Sequence, residues 1–458
     1  MKAKEVILLT LIILLGVGFH YLQDFRTSVD SWDFHLFRGQ PFVFEESLQL
    51  KPAVTVEILN AHGRVEVEGA EVEKISVTLE KKVWARNEEE AKKIADRLKL
   101  LTTESPEKWL VSSNRETFRK KSFETSFRLT VPRETAVKIK NSFGLVRVSK
   151  VKEAQVENKH DKVDIFEISG PVKVINAFDD VSLMDISGSC QVDTRHAALL
   201  LSRISGPVRV NCAHEEVELF DLRNSISLES RHSKINGVKI VGPAEISGSF
   251  EPLTFSEITG FLTIKGHHSP ITVDNLKGEL RVENIYEPVK LFDLEGNVTV
   301  EGKSLAIKAN RIRAEKIYLR SSYEDVRLED FSGELHLELA HAEAFLAPAT
   351  LNYPMEVKGQ YADLKFLWPA GQVCSFQAQS KGGEVKWELS RPYDEKKTNG
   401  TTIIRAFMGS DITPRLNLTT TYGTIQVMEK EGKRAKLKAQ GLLQAPEDIN
   451  FVYECLNL

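Results

Sequence analysis

The sequence predicts a mainly β protein built around a single-stranded β-solenoid of about 18 residues per coil, and three observations predict it. From Ile168 a seven-residue phrase returns every 18 residues: ISGPVKV, ISGSCQV, ISGPVRV, LRNSISL, IVGPAEI, ITGFLTI, LKGELRV and LEGNVTV, the last beginning at Leu294. Within it the first, fifth and seventh positions are apolar and the third is Gly in every copy except Asn224, the pattern of a turn feeding a short strand. A second apolar pair follows in each unit, as in Val181 and Leu183, Leu199 and Leu201, or Ile271 and Val273. Each unit therefore carries two short strands and two turns.

A fixed period shorter than a small domain means stacked units. Two strands of about four residues bury too little to offset backbone ordering at about 1–2 kcal/mol per residue, so a lone unit does not fold. Stacking places Val172 above Cys190, Val208, Ile226 and Ala244 at about 4.8 Å, and the inward residues join into one core. So short a coil fills its interior with side chains. Binding then falls to outer faces, turns and ends.

At the N-terminus Lys2 and Lys4 precede an apolar run, Val6 to Phe19, followed by Asp24, Arg26, Asp30 and Asp33. The leading charge sets the N-terminus in the cytoplasm and the body outside, at the periplasmic or cell-surface side. Residues 1–23 are expected to be a single-pass signal anchor; Gly16 and Gly18 leave open a cleaved signal peptide. Residues 24–49 read as a linker. Residues 50–150 read as a small α+β cap: strands from Val54, one helix over Asn87 to Leu101 with an acidic first turn, and strands near Leu110 and from Phe123 to Val131. Its role is to cover an apolar solenoid end.

The solenoid is expected over 151–345, loosening at Ile312, where the Gly is lost and the spacing lengthens. Residues 346–430 read as further β repeats (GQYADLKFLWP, KGGEVKWEL, TYGTIQV), with Arg391 to Thr401 as a flexible loop. Residues 431–458 read as a tail, and Lys430, Lys433, Arg434, Lys436 and Lys438 as a solvated basic run.

The chain has 458 residues, a net charge of −4 and 41% hydrophobic residues, which suits a folded body and gives no support for nucleic acid binding. Cys190, Cys212, Cys374 and Cys455 show no CxxC spacing and imply no disulfide framework; Cys190 falls at an inward position.

The phrase NAHGRVEVEG from Asn60 returns as NSFGLVRV from Asn141, around a charged helix and a strand ending TVPRET, and leads into Gly-strand repeats. This arrangement resembles the bacterial family of adhesin-like domains with β-strand repeats, over roughly Val54 to Val427. The resemblance implies an extracytoplasmic β-solenoid and an adhesive role. It carries over no catalytic residue, since the shared motifs are structural.

One column invites a chemical reading. Ten residues into each unit stand Phe178, His196, His214, His232, Phe250, His268, Tyr286 and Ser304, with His160 one unit earlier. Three successive histidines, His196, His214 and His232, lie within metal-sharing distance, but Phe and Tyr in the same column favour a stacked ladder, and no metal is assigned. Its acid sensitivity follows from like charges on neighbouring imidazoliums. The pairs Asp179 with Asp180 and Asp161 with Asp164 sit in turns, where Asp bonds locally. Gly296 to Ser304 (GNVTVEGKS) mimics a phosphate loop but has five residues between its glycines and no helix after it. No catalytic, cofactor or metal residue is assigned, and no cofactor is expected.

Three function classes follow: an anchored, non-enzymatic adhesin-like or scaffold module binding a protein or glycan; a polysaccharide-active β-helix enzyme of the cell envelope; and a binder of an ordered surface such as ice. The outward residues Lys173, Gln191, Arg209, Ser227, Glu245, Thr263, Arg281 and Thr299 are too mixed for a lattice match, and no carboxylate cluster stands out. The first class is the expected one.

Overall fold

The computed structural model describes residues 39–118, 122–408 and 415–430. The expected anchor over 1–23, the tail over 431–458 with all of the basic run beyond Lys430, and Cys455 lie outside them. No helix among the described residues is long and apolar enough to cross a membrane. Strands make up 66% of the described residues, wound as a β-solenoid of about 13 turns at about 18 residues per coil. Two compact units divide the chain, one running to Val151 with Val156–Asn158, the other comprising Lys152–Gln155 and the residues from Lys159 on.

In the first unit, Val65–Ala70 runs parallel to both Phe123–Pro132 and Val146–Ser149, while Ile75–Ala85 pairs antiparallel with Phe123–Pro132. The outer partner of Ile75–Ala85 is Gln40–Leu50, an 11-residue strand where a linker was expected. Its alternating FVFEESLQL pattern sets Phe42 and Phe44 against the buried cluster of Val83, Ala91, Ala95, Leu98 and Phe123. The helix spans Glu88–Arg97, shorter than the expected Asn87 to Leu101. Asn87 is its N-cap, accepting from the Glu90 N–H at 2.9 Å. It stops where Asn114 donates to Arg97 O (2.9 Å) and accepts from the Lys99 N–H (2.8 Å), and Leu100–Ser105 then pairs antiparallel with Lys108–Ser113.

In the second unit the stacking is in register. Val172, Cys190, Val208, Ile226 and Ala244 pair in turn as their spacing predicts, and so do Val181, Leu199, Val217 and Ile235 in the second strand of each coil. These inward residues are buried, so the core is one stack made mostly of Val, Ile and Leu. Cys190 and Cys212 are free and buried within it, and burial pushes the Cys190 thiol up to about 12.

In most phrases the glycine is required by close approach. A Cβ on Gly206 would lie 2.1 Å from Gly188 O, and one on Gly278 would lie 2.0 Å from Gly260 O. A second constrained column, which periodicity alone does not reveal, is a bulge shortly ahead of this turn in each coil: Asp185, Arg203, Asp221, Lys239, Asp293 and Arg311 all have left-handed φ of 51–60°. None is β-branched, as that conformation requires. The column mixes charge along the stack. Arg203 donates twice to Asp185 (2.6 and 2.7 Å), and Arg311 grips Asp293 one coil below in the same way.

Past Val300 the coil relaxes. Ile307–Ser322 is one 16-residue strand whose register shifts between Arg313 and Lys316, which accommodates the extra residue where the Gly is missing. The C-terminal coils are not stacked in chain order. Leu416–Thr421 lies between Met355–Gln360 and Phe376–Lys381, and Ile425–Glu429 lies between Asp363–Trp368 and Val385–Glu388. The expected loop from Arg391 to Thr401 is mostly hairpin. Asp394–Thr398 pairs antiparallel with Thr401–Ala406 across Asn399-Gly400, both with positive φ, an Asn-Gly turn. Thr401–Ala406 in turn covers the edge of Phe376–Lys381.

Gly206→Val is expected to lower unfolding free energy by about 1–3 kcal/mol in urea titration, since its side chain meets backbone. A second expectation concerns acid. The hydrogen bond from Arg203 holds the Asp185 carboxyl below the usual carboxylate range. Its contribution is thus fully present above about pH 4 and is lost as pH falls through the depressed folded value. Asp185→Asn should show a shallower loss of stability than the native chain below about pH 4, read from melts across that range.

Candidate functional site

The second turn of each coil sets one ring above another. His196, His214, His232, Phe250, His268 and Tyr286 all take left-handed φ, between 51° and 77°. Each N–H donates to a carbonyl of the next coil, as from His196 to Ala213 O and from Tyr286 to Lys303 O, both at 3.0 Å. With the backbone so fixed, the side chains leave in one direction. From His160 through Phe178 to Tyr286 the rings form one continuous stack, with centroids 4.6–5.7 Å apart and planes within 11° of parallel.

This geometry bears directly on a metal. His196 and His214 stack at 4.6 Å, His214 and His232 at 5.4 Å, with interplanar angles of 4° and 2°. Imidazole lone pairs lie in the ring plane, so parallel rings at such spacing cannot converge on one ion at about 2.0–2.1 Å. Among the described residues no group of three or more His, Cys, Asp or Glu is placed to hold a metal. Asp179 and Asp180 lie in a turn, where the Asp180 N–H donates to Asp179 Oδ1 (2.8 Å); Asp161 also lies in a turn and accepts from the Lys162 N–H (3.0 Å), but Asp164, expected in a turn, stands in the strand Val163–Ile168 and pairs with Lys162 at 3.1 Å.

The column extends beyond what the 18-residue period reveals. Tyr323, His341, Tyr361 and Tyr422 stack in succession at 4.9–5.3 Å, and His62 stacks on Phe143 in the first unit at 4.5 Å. A signal for them was present: every ring of the second unit stands three residues before the first inward residue of its strand, as Tyr323 before Val326 and Tyr422 before Ile425. Between the two stacks of the second unit stands Ser304, with the same left-handed backbone (φ 49°) and no ring.

Alongside this column runs a groove of about 900 Å³, crossing six coils from Lys265 to Lys358. Its charged row, Lys265, Glu283, Glu301, Arg320, Glu338 and Lys358, is held by successive in-register pairings. Arg320 faces Glu338 at 3.6 Å, and Lys358 bonds Glu356 at 2.7 Å, holding that carboxyl below its ordinary range. Small residues floor the groove for an internal reason. A Cβ on Gly266 would meet Asn284 Oδ1 at 2.5 Å, and one on Gly302 would meet Asn284 O at 2.0 Å.

Of the outward residues, Lys173, Gln191, Arg209 and Ser227 form one in-register row, and Arg281 pairs with Glu283 at 3.0 Å. Gly296 to Ser304 runs from a stacked turn through the strand Val298–Lys303, with no helix to bind a phosphate. Sequence reasoning did not find the groove, because it lies where strands of six separate coils meet.

No family model matches the chain, so the resemblance to adhesin-like β-strand-repeat domains rests on sequence phrases alone. No curated protein matches it either. Among solved structures it is similar to a Clostridium sporogenes ATCC 15579 protein provisionally named for cell adhesion, at 8% identity and a TM-score of 0.16, covering 85% of this chain and 100% of that one. A likeness that slight carries no argument.

Proposed function

We propose that the chain is a non-enzymatic binding module of the cell envelope, adhesin-like or scaffolding, that displays an extended exterior to a partner. The observation that carries this reading is the placement of its open surface: the interior is a closed stack of buried, mostly aliphatic residues, while the groove from Lys265 to Lys358 is exterior, linear and edged by a row of charged side chains. A fold of this kind gives a long, regular recognition surface and no internal chamber. The apolar run from Val6 to Phe19 behind Lys2 and Lys4 supports attachment to the cell membrane by a single anchor, with the body extracytoplasmic.

The full chain, titrated with bacterial and host glycans and with membrane-protein extract, is expected to bind saturably and to release no shortened polysaccharide. Reducing-end release on incubation with envelope polysaccharide would overturn the reading in favour of an enzyme.

A further inference from the structure

We infer that the break in the ring column at Ser304 is a binding slot for one pyranose ring of a neutral oligosaccharide, whose chain runs on along the adjoining groove. This rests on the binding-module reading above and names its ligand.

Tyr286 stacks on His268 through one face and Tyr323 on His341 through one face. Their other faces look toward the Ser304 coil, across two coil steps or about 10 Å. Among the described residues both rings are among the most exposed large hydrophobic side chains, Tyr286 at 59% and Tyr323 at 64%. At the column's far end the Tyr422 ring has Gly382 against it. Ser304 therefore leaves one vacancy of a single ring thickness. A guest ring there would stand at the same spacing from both tyrosines as the rings of the column stand from each other.

The surroundings select the guest. A pyranose presents an apolar C–H face, which an electron-rich aromatic face attracts, and a rim of hydroxyls that both donate and accept. Beside the slot the groove offers Glu301 as an acceptor, Arg320 and Lys303 as donors, and Ser322 as either. Its charged row holds three cations and three carboxylates, which favours a neutral chain over an acidic one. An aromatic side chain from a protein carries no comparable rim of donors and acceptors to answer Glu301, Arg320, Lys303 and Ser322.

The test uses the full chain and calorimetric titration with cellopentaose, chitopentaose and maltopentaose. At least one is expected to bind. Ser304→Tyr fills the vacancy with the column's own kind of residue, so it should weaken that binding at least tenfold while leaving the melting temperature equal or higher. Tyr323→Ala should weaken it similarly, and Tyr361→Ala, away from the slot, should not; this pair decides the matter if Ser304→Tyr fails to fold. Equal binding by native, Ser304→Tyr and Tyr323→Ala chains overturns the slot. So does capture of a tryptophan-containing peptide that Ser304→Tyr abolishes, with no sugar bound. If membrane-protein extract still binds while all three sugars fail, the slot is wrong and the binding-module reading stands; if nothing binds saturably, both fall.

Discussion

The parallel ladder between successive coils is the constraint on which the rest depends. Because each residue is hydrogen-bonded in register to the one about 18 positions on, a residue type chosen once is answered at about 4.8 Å above and below. Side chains that tolerate their own kind as neighbours are thereby favoured: aliphatics inside, glycine where backbone meets backbone, flat rings at the outer turn. Charges are the exception, and the bulge column handles them by placing opposite signs in adjacent coils, as with Arg203 over Asp185 and Arg311 over Asp293. Exposed ion pairs of this sort add little singly; their value lies in fixing which coil lies over which.

Much of this was legible because the constraint writes itself into the sequence as a period. The inward stack from Val172 to Ala244, the Gly turns and the His and Phe column were all read from spacing. What spacing missed falls into two kinds. The bulge residues Asp185, Arg203 and Asp221 look like ordinary polar positions, since only their backbone is unusual. The later rings at Tyr323, His341, Tyr361 and Tyr422 sit at irregular intervals, because turns of different length separate coils that are still stacked. A local rule, three residues before the inward strand residue, recovers them where a global period does not.

The candidate site was less legible than the fold for the same reason. A groove made where Lys265, Glu283, Glu301 and Arg320 come side by side has no local signature, since each residue comes from a different coil. The strand in the expected linker and the hairpin in the expected loop went unrecognised for another reason. Gln40–Leu50 has its pairing partner far along the chain, and Asp394–Thr398 meets Thr401–Ala406 across a turn of only two residues. Periodicity reports interiors better than edges.

The out-of-order C-terminal coil has a consequence for how the chain is made. A solenoid wound strictly in sequence can grow coil by coil as it leaves the ribosome, each new turn templated by the last. Here the coil of Phe376–Glu388 is synthesised before the coil of Leu416–Glu429 that lies between it and Met355–Trp368. Winding must pause with a vacancy that only a later segment can fill. Completion therefore waits on a segment that pairs with a neighbour on each of its sides.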